Sequence, residues 1–194
     1  MGNTQRNLSV FVMVLSYSRR MYIEFTLSQK QEHFLGCHQN AFEYFGGIPQ
    51  SIMVDNLKSA VLEHKRGETP RWNPCYEAFA RDYGFKIMAC NPRSPQEKGR
   101  VENAVGYVKK NFLAGRNFRD FAHIGPAARR WLDQIANQRL HRASGKTPHE
   151  LYEQEKSQLL SLPLNIPSAA RVVRQRATST FSPEHRYQPL QRPC

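Results

Sequence analysis

The sequence lacks any apolar run long enough to cross a bilayer as a helix. Its longest, from Leu8 to Leu15 with one serine inside it, falls far short of the roughly 20 residues required. The chain does not open on a basic stretch, an apolar core and a small-residue cleavage site, so no secretory leader is expected. Cysteine is sparse: Cys37, Cys75, Cys90 and Cys194 are scattered, with no C-x-x-C pair. That spacing supports neither a zinc ribbon nor a disulfide framework, and a reducing cytoplasm is the expected compartment. There is no internal repeat, and the lack of a glycine-rich phosphate loop argues against a small-molecule enzyme. Acid is also scarce. The chain has 194 residues, with 28 Lys and Arg against 16 Asp and Glu, a formal charge of +12. An excess of this size favours a polyanionic partner, either nucleic acid or an anionic membrane surface. Clustering of the bases beside a candidate site favours nucleic acid.

What is present reads as an α/β chain. Hydrophobic residues make up 40% of it, enough for a packed core. The run LSVFVMVL at 8–15 has the composition of a strand buried on both faces. Residues 21–27 alternate. Met21, Ile23, Phe25 and Leu27 fall on a buried side, with Tyr22, Glu24 and Thr26 on a solvated one. The short loop between them predicts an antiparallel hairpin. A helical period follows over 29–45 and stops at Gly46-Gly47. A strand from Ile48 to Val54 ends in Asp55-Asn56. A helix is predicted over 71–83 from the spacing of Trp72, Tyr76, Phe79 and Tyr83, and a short strand from Phe85 to Cys90.

Ser94, Pro95 and Glu97 form a helix-start signal for a helix running to about Leu113. Thr147-Pro148-His149-Glu150 repeats that signal, and a helix centred on Trp131, Leu132 and Ile135 lies between the two. After Leu162 five prolines, five arginines and one acid predict a basic, weakly structured tail.

On the helix from Pro95, Val101, Val105, Val108 and Phe112 make the core stripe. Glu102 sits at its edge between Lys98 and Lys109, with Gly99 and Gly106 alongside. Each helical glycine costs roughly 1 kcal/mol relative to alanine, so two in one helix call for a reason, such as close approach of a ligand. Glu102 alone would be a surface ion pair with Lys98, and Asp55 alone a turn residue. Together they give a strand-end Asp and a helical Glu among basic residues, the hard oxygen donors that Mg²⁺ or Mn²⁺ takes. In two-metal phosphoryl transfer a pair of such ions roughly 4 Å apart activates the attacking oxygen and stabilises the leaving one. Lys98, Arg100, Lys109, Lys110, Arg116 and Arg119 form a basic strip suited to DNA phosphates. His33 and Cys37, at i and i+4, read as core residues.

These residues carry a resemblance. Val54-Asp55-Asn56-Leu57-Lys58 and the stretch from Asn91 to Asn103 resemble the second Asp and the Glu of the integrase/transposase catalytic core, of the ribonuclease-H-like fold. Asn137-Gln138-Arg139-Leu140-His141 and Lys146-Thr147-Pro148 resemble the segment following that core in insertion-sequence transposases. "GGIPQSIMVDNLKSAV" and "NPRSPQEKGRVENAVGYVKKNF" resemble in particular the IstA type, of the insertion-sequence twenty-one family.

The resemblance implies an α/β integrase core over 1–125 that lacks its first strand. It implies a helical extension over 126–162, and over 163–194 a basic linker with the start of a small β-barrel at 171–188. It implies an Asp-Asp-Glu triad on Mg²⁺ or Mn²⁺, DNA as substrate in the bacterial cytoplasm, a helper ATPase of the IstB type, and room for a homo-oligomer. The triad's first Asp has no counterpart: no acid precedes Glu24, which reads as a solvated face residue. The expectation is therefore a polynucleotidyl transferase core truncated at both ends and inactive alone. It would leave a strand-wide gap between the hairpin and the strand ending at Asp55. The alternative is a non-catalytic DNA-binding or regulatory fragment of a transposase.

Overall fold

The computed structural model describes residues 8–55, 57–65, 67–90, 95–142 and 144–164, with only the backbone described over 95–101. The side chains of Lys98 and Arg100, the Ser94 cap and the tail at 165–194 with its barrel start lie outside the described residues.

Strands β1 (Ser9–Val14) and β2 (Met21–Thr26) form the predicted antiparallel hairpin, from Ser9 opposite Thr26 to Val14 opposite Met21. Helix α1 (Gln31–Phe45) follows and ends on Gly46, whose left-handed φ of 68° suits glycine. Strand β3 (Ser51–Val54) pairs in parallel with β6 (Lys86–Ala89), and helix α2 (Pro74–Tyr83) makes the crossover between them. Strands β4 (Val61–Glu63) and β5 (Arg71–Trp72) form a small antiparallel ribbon. Helix α3 (Pro95–Val108) continues into a π-turn over Lys109–Leu113, α4 (Phe121–Trp131) into another over Leu132–Ala136, and α5 (Pro148–Glu155) closes the described chain. The α5 start carries the predicted capping box: Glu150 N–H donates to Thr147 Oγ1 at 3.1 Å, and Thr147 N–H donates to Glu150 Oε2 at 2.7 Å.

Several expectations are corrected. The helix expected from residue 71 begins at Pro74. Asn73 caps it, accepting from the Cys75 N–H at 3.0 Å, and the residue before proline is kept out of helical geometry. Arg71 and Trp72 are instead held as a strand. Of the predicted core stripe on α3, Val108 and Phe112 are buried together with Ala104, Val105 is half-buried, and the Val101 side chain lies outside the described residues. Trp131 and Leu132 are buried but Ile135 is 47% exposed, because the π-turn shifts its bearing. Leu27 is 46% exposed and Tyr22 is buried. Glu24 is half-buried rather than solvated. It accepts from Tyr22 Oη at 2.7 Å and from Asn40 Nδ2 at 3.0 Å.

Residues beyond 125 share the core of the strands. Ala128, Trp131, Leu132 and Ala136 pack into it. Buried Asn137 clips this segment to β2: its Oδ1 accepts from Met21 N–H at 2.8 Å, and its Nδ2 donates to Met21 O at 3.0 Å and to Tyr44 Oη at 2.9 Å.

Candidate functional site

Among the described residues β1 pairs with β2 alone and β3 with β6 alone, so the two half-sheets do not join. They are held apart and aligned at both ends. At one end Tyr17 and Ser18, just after β1, donate their N–H groups to the Glu155 carboxylate at 3.2 and 2.9 Å. There too Ile48, just before β3, exchanges backbone hydrogen bonds with Leu160, and Gln50 Nε2 donates to Gln158 O at 3.1 Å. Gly47 permits this: a Cβ there would lie 2.7 Å from Leu159 Cβ and 3.0 Å from Leu160 O. At the other end Gln31 Nε2 donates to Ser59 O at 2.9 Å and Ser59 Oγ to Gln29 O at 3.3 Å. That ties the segment after β2 to the segment after β3. The finish of β1 therefore lies beside the start of β3, and the two run in opposite directions.

Between them is a groove of about 1090 Å³. One wall is β1 and the other β3. Phe34, Cys37 and His38 of α1 and Val105 and Gly106 of α3 also line it. The apolar run of β1 is accordingly not buried on both faces as its composition predicts. Val10, Phe11, Val12 and Val14 are half-buried, since they face this groove.

Asp55 follows directly on Val54, where the Cys90 N–H to Val54 O bond of 3.0 Å extends the parallel pairing. The carboxyl ends of parallel strands are where open α/β sheets bind their ligands. Asp55 is exposed and lines the groove, and exposed Glu102 and Lys109, from α3 and its π-turn, line it too. The sequence separates these residues widely and the fold brings them to one groove. Lys110, Arg116 and Arg119 are exposed on the continuation of α3 but do not line the groove, and Arg116 stacks its guanidinium 5.1 Å from the Phe112 ring centre. His33, expected in the core, is exposed and lines the groove from the first turn of α1, while Cys37 is buried. Alternation along α1 does not reveal this, because which flank is covered depends on α2.

Among the described residues no three His, Cys, Asp or Glu side chains converge into a metal cluster. The acids lining the groove are Asp55, Glu102 and Glu155, and Glu155 is committed to the Tyr17 and Ser18 amides. Two carboxylates still suit Mg²⁺, which is commonly held by one or two of them plus phosphate oxygens and water. Gly106 supports close approach: a Cβ there would meet nothing within 4 Å, so packing does not explain the glycine. Burial pushes the Cys37 thiol up. No helix among the described residues is long and apolar enough to cross a membrane.

Comparison with known proteins fits this arrangement. Residues 1–95 match the integrase core domain family. A putative transposase for insertion sequence element IS5376 of Geobacillus stearothermophilus is 39% identical over 157 residues, 81% of this chain and 38% of that protein. The transposase for IS21 of Pseudomonas aeruginosa is 35% identical over 153 residues, 78% of this chain and 39% of that protein. The chain thus spans about two fifths of the length of these relatives.

Two retroviral structures share the fold at low identity. The catalytic core of HTLV-2 integrase, solved in complex with magnesium in a trimeric form, has TM-score 0.53 at 17% identity, covering 75% of this chain and 92% of that one. The catalytic core of BIV integrase has TM-score 0.57 at 17% identity, covering 81% and 94%. The half-sheets and the crossover are shared with these integrase catalytic cores, and the chain is similar to insertion-sequence transposases over about four fifths of its length.

Proposed function

We propose that this chain acts on DNA as a catalytic-core part of a transposase, with Asp55 and Glu102 as metal ligands and the basic residues of α3 and its continuation as the DNA contact. The observation that carries this reading is the meeting of Asp55, Glu102 and Lys109 on one groove. Asp55 and Glu102 supply hard carboxylate oxygens to Mg²⁺ or Mn²⁺. When bound, the ion supplies Lewis-acid stabilisation at a phosphoryl oxygen. Lys109 offers a point charge to a phosphate at the groove, exposed Lys110 and Arg116 add further charges for the duplex backbone, and Lys98 and Arg100 join the contact on the strength of the sequence alone. Gly106 leaves room for that backbone. An ATPase helper of the IstB type and a homo-oligomer belong to the same reading, the latter supported by the trimeric form of the HTLV-2 core.

A second reading is favoured by the count of ligands among the described residues. With two carboxylates at the site, the 194-residue chain binds DNA and a divalent ion without joining strands, as a DNA-binding or regulatory piece. Both readings meet in one experiment. Mn²⁺ is expected to broaden NMR signals around Asp55 and Glu102 in the purified chain, and Asp55→Asn to abolish the effect. DNA affinity is expected to fall steeply with salt, and Lys109→Ala to reduce the log–log salt slope by about 1. Broadening elsewhere, or affinity indifferent to salt, counts against the site as drawn. Joining of labelled DNA ends by the chain alone would overturn the non-catalytic reading.

A further inference from the structure

We propose that Arg19, Arg139 and His141 form a phosphate-binding site, set apart from Asp55 and Glu102 and independent of any metal. Three segments meet there. Arg19 comes from the turn between β1 and β2. Arg139 and His141 come from the stretch after the second π-turn, and α3 supplies Tyr107. The Arg139 guanidinium lies over the Tyr107 ring, 3.7 Å from its centre, and the Arg139 Nε–H donates to His141 Nε2 at 3.4 Å. The His141 backbone is pinned in turn, its N–H donating to Lys146 O at 3.0 Å.

Their sequence neighbours Asn137 and Thr147 are spent on the fold, as the clip to β2 and the cap of α5. Arg139 is only partly spent. Stacking uses the face of its guanidinium, and among the described residues its terminal nitrogens have no hydrogen-bond partner. That edge is the fork that grips a phosphate by two parallel bonds. His141 is half-buried, and burial together with the like charges of Arg139 and Arg19 holds its pKa below the ordinary histidine range. No carboxylate offsets those two charges at the ring. The acid that Lys146 acts on is Glu150, which is engaged in the capping box of α5. Positive groups gathered on a half-buried imidazole oppose one another, and an anion among them reverses the sign. Arg19 is an independent pointer. Its φ of 62° is the one positive value outside glycine among the described residues. Glycine or asparagine takes that conformation more readily than a long side chain, so an arginine there calls for a reason, and charge is what it supplies.

The place separates this site from the carboxylates. Arg19 lines the groove where β1 finishes and β3 starts. Asp55 stands at the far end of β3, four strand steps past Ser51, which is about 13 Å at about 3.3 Å per residue. A phosphate at Arg19 is therefore not one that shares a metal with Asp55. Its source is either a phosphodiester of DNA or a free phosphate, and the same groups hold both.

The test follows the His141 ring signals of the full 194-residue chain by NMR in EDTA, assigned with His141→Gln. Inorganic phosphate and a short mixed-sequence DNA duplex are titrated separately, each against sodium chloride at matched ionic strength. Binding is expected to raise the pH midpoint of His141, because an anion offsets the two arginines. Response to the duplex at the lower concentration of phosphate groups identifies DNA as the source, and response to inorganic phosphate alone identifies a free phosphate. Arg139→Ala is expected to weaken binding by about tenfold or more, the usual loss for a charged hydrogen bond. Arg19→Asn is expected to weaken it with the melting temperature unchanged or raised, since asparagine suits a positive φ. That variant decides if Arg139→Ala does not fold. No midpoint change with either ligand, or an equal change with chloride, overturns the proposal. So does an Arg19→Asn chain whose affinity is unchanged, or falls only together with its melting temperature. Mn²⁺ broadening at Asp55 and the salt slope at Lys109 are read on other residues, so this site and the proposed DNA contact can fail separately.

Discussion

The two flanks of α1 differ in kind. Toward α2 the helix is closed over. Phe42 is fully buried among Phe79, Tyr83 and Phe85, with ring centres 6.2, 5.5 and 5.8 Å away. His38 is buried with both ring nitrogens engaged: Nδ1–H donates to Phe34 O at 2.8 Å, and Nε2 accepts from Tyr76 Oη at 3.2 Å. Toward β1 and β3 the same helix borders a groove whose walls are apolar but half-covered and whose strand edges are unpaired among the described residues. The first flank holds the fold together. The second leaves apolar surface and backbone groups available, and the carboxylates stand on that side. Closed packing and open surface are thus divided between the two faces of one helix.

The largest effect that can break this contrast is on the closed flank. Phe42→Ala is expected to cost about 3–5 kcal/mol by urea denaturation, the usual range for an aromatic deleted from a packed core. A loss below about 1 kcal/mol would mean that the α1–α2 face is no tighter than the groove.

Next comes an acid dependence specific to His38. Burial lowers its pKa from 6.5 to about 4, a shift only partly opposed by its hydrogen bond to Phe34 O. The unfolded chain therefore takes up the proton first as pH falls. The stability that depends on neutral His38 is complete above pH 6.5 and is lost as pH drops toward 4, amounting to about 3 kcal/mol across that window. Stability curves of the native chain and His38→Gln, measured from pH 7 to 4, are expected to converge as the pH falls. Parallel curves would show that this histidine is not held neutral.

The smallest effect sharpens the open flank. Gly106→Ala meets no atom within 4 Å, so helix propensity alone should raise stability by up to about 1 kcal/mol. Under the DNA reading it should also weaken DNA binding. A gain in stability with unchanged DNA affinity would remove Gly106 from the proposed contact.

Much of this arrangement is legible in the sequence wherever the signal is local. The hairpin follows from an apolar run, a short loop and an alternating run. The α5 start follows from Thr147, Pro148 and Glu150, whose reciprocal hydrogen bonds span three residues. Asp55 and Glu102 can be singled out by residue type and setting. The misses share a physical cause, dependence on distant partners. The β4–β5 ribbon is too short to carry a pattern and exists because Val61 pairs with Trp72 and Asn73 N–H donates to Ala60 O at 2.9 Å. The π-turns, marked by bonds from Ala114 N to Lys109 O and from Asn137 N to Leu132 O, both 3.0 Å, shift the helical bearing in a way that a regular 3.6-residue count misses. Glu24 reads as solvated until Tyr22 and Asn40 are seen to bond it.

The sequence by itself determined the basic charge, the β1–β2 hairpin and the α5 start, because charge, alternation and capping act over a few residues. Only the tertiary structure decided that Asp55, Glu102 and Lys109 share one groove, that His33 lines it, and that β1 stays half-covered. Those outcomes depend on how Glu155, Gln158 and Leu160 hold two half-sheets apart, and contacts across so many residues of chain leave no local pattern to read.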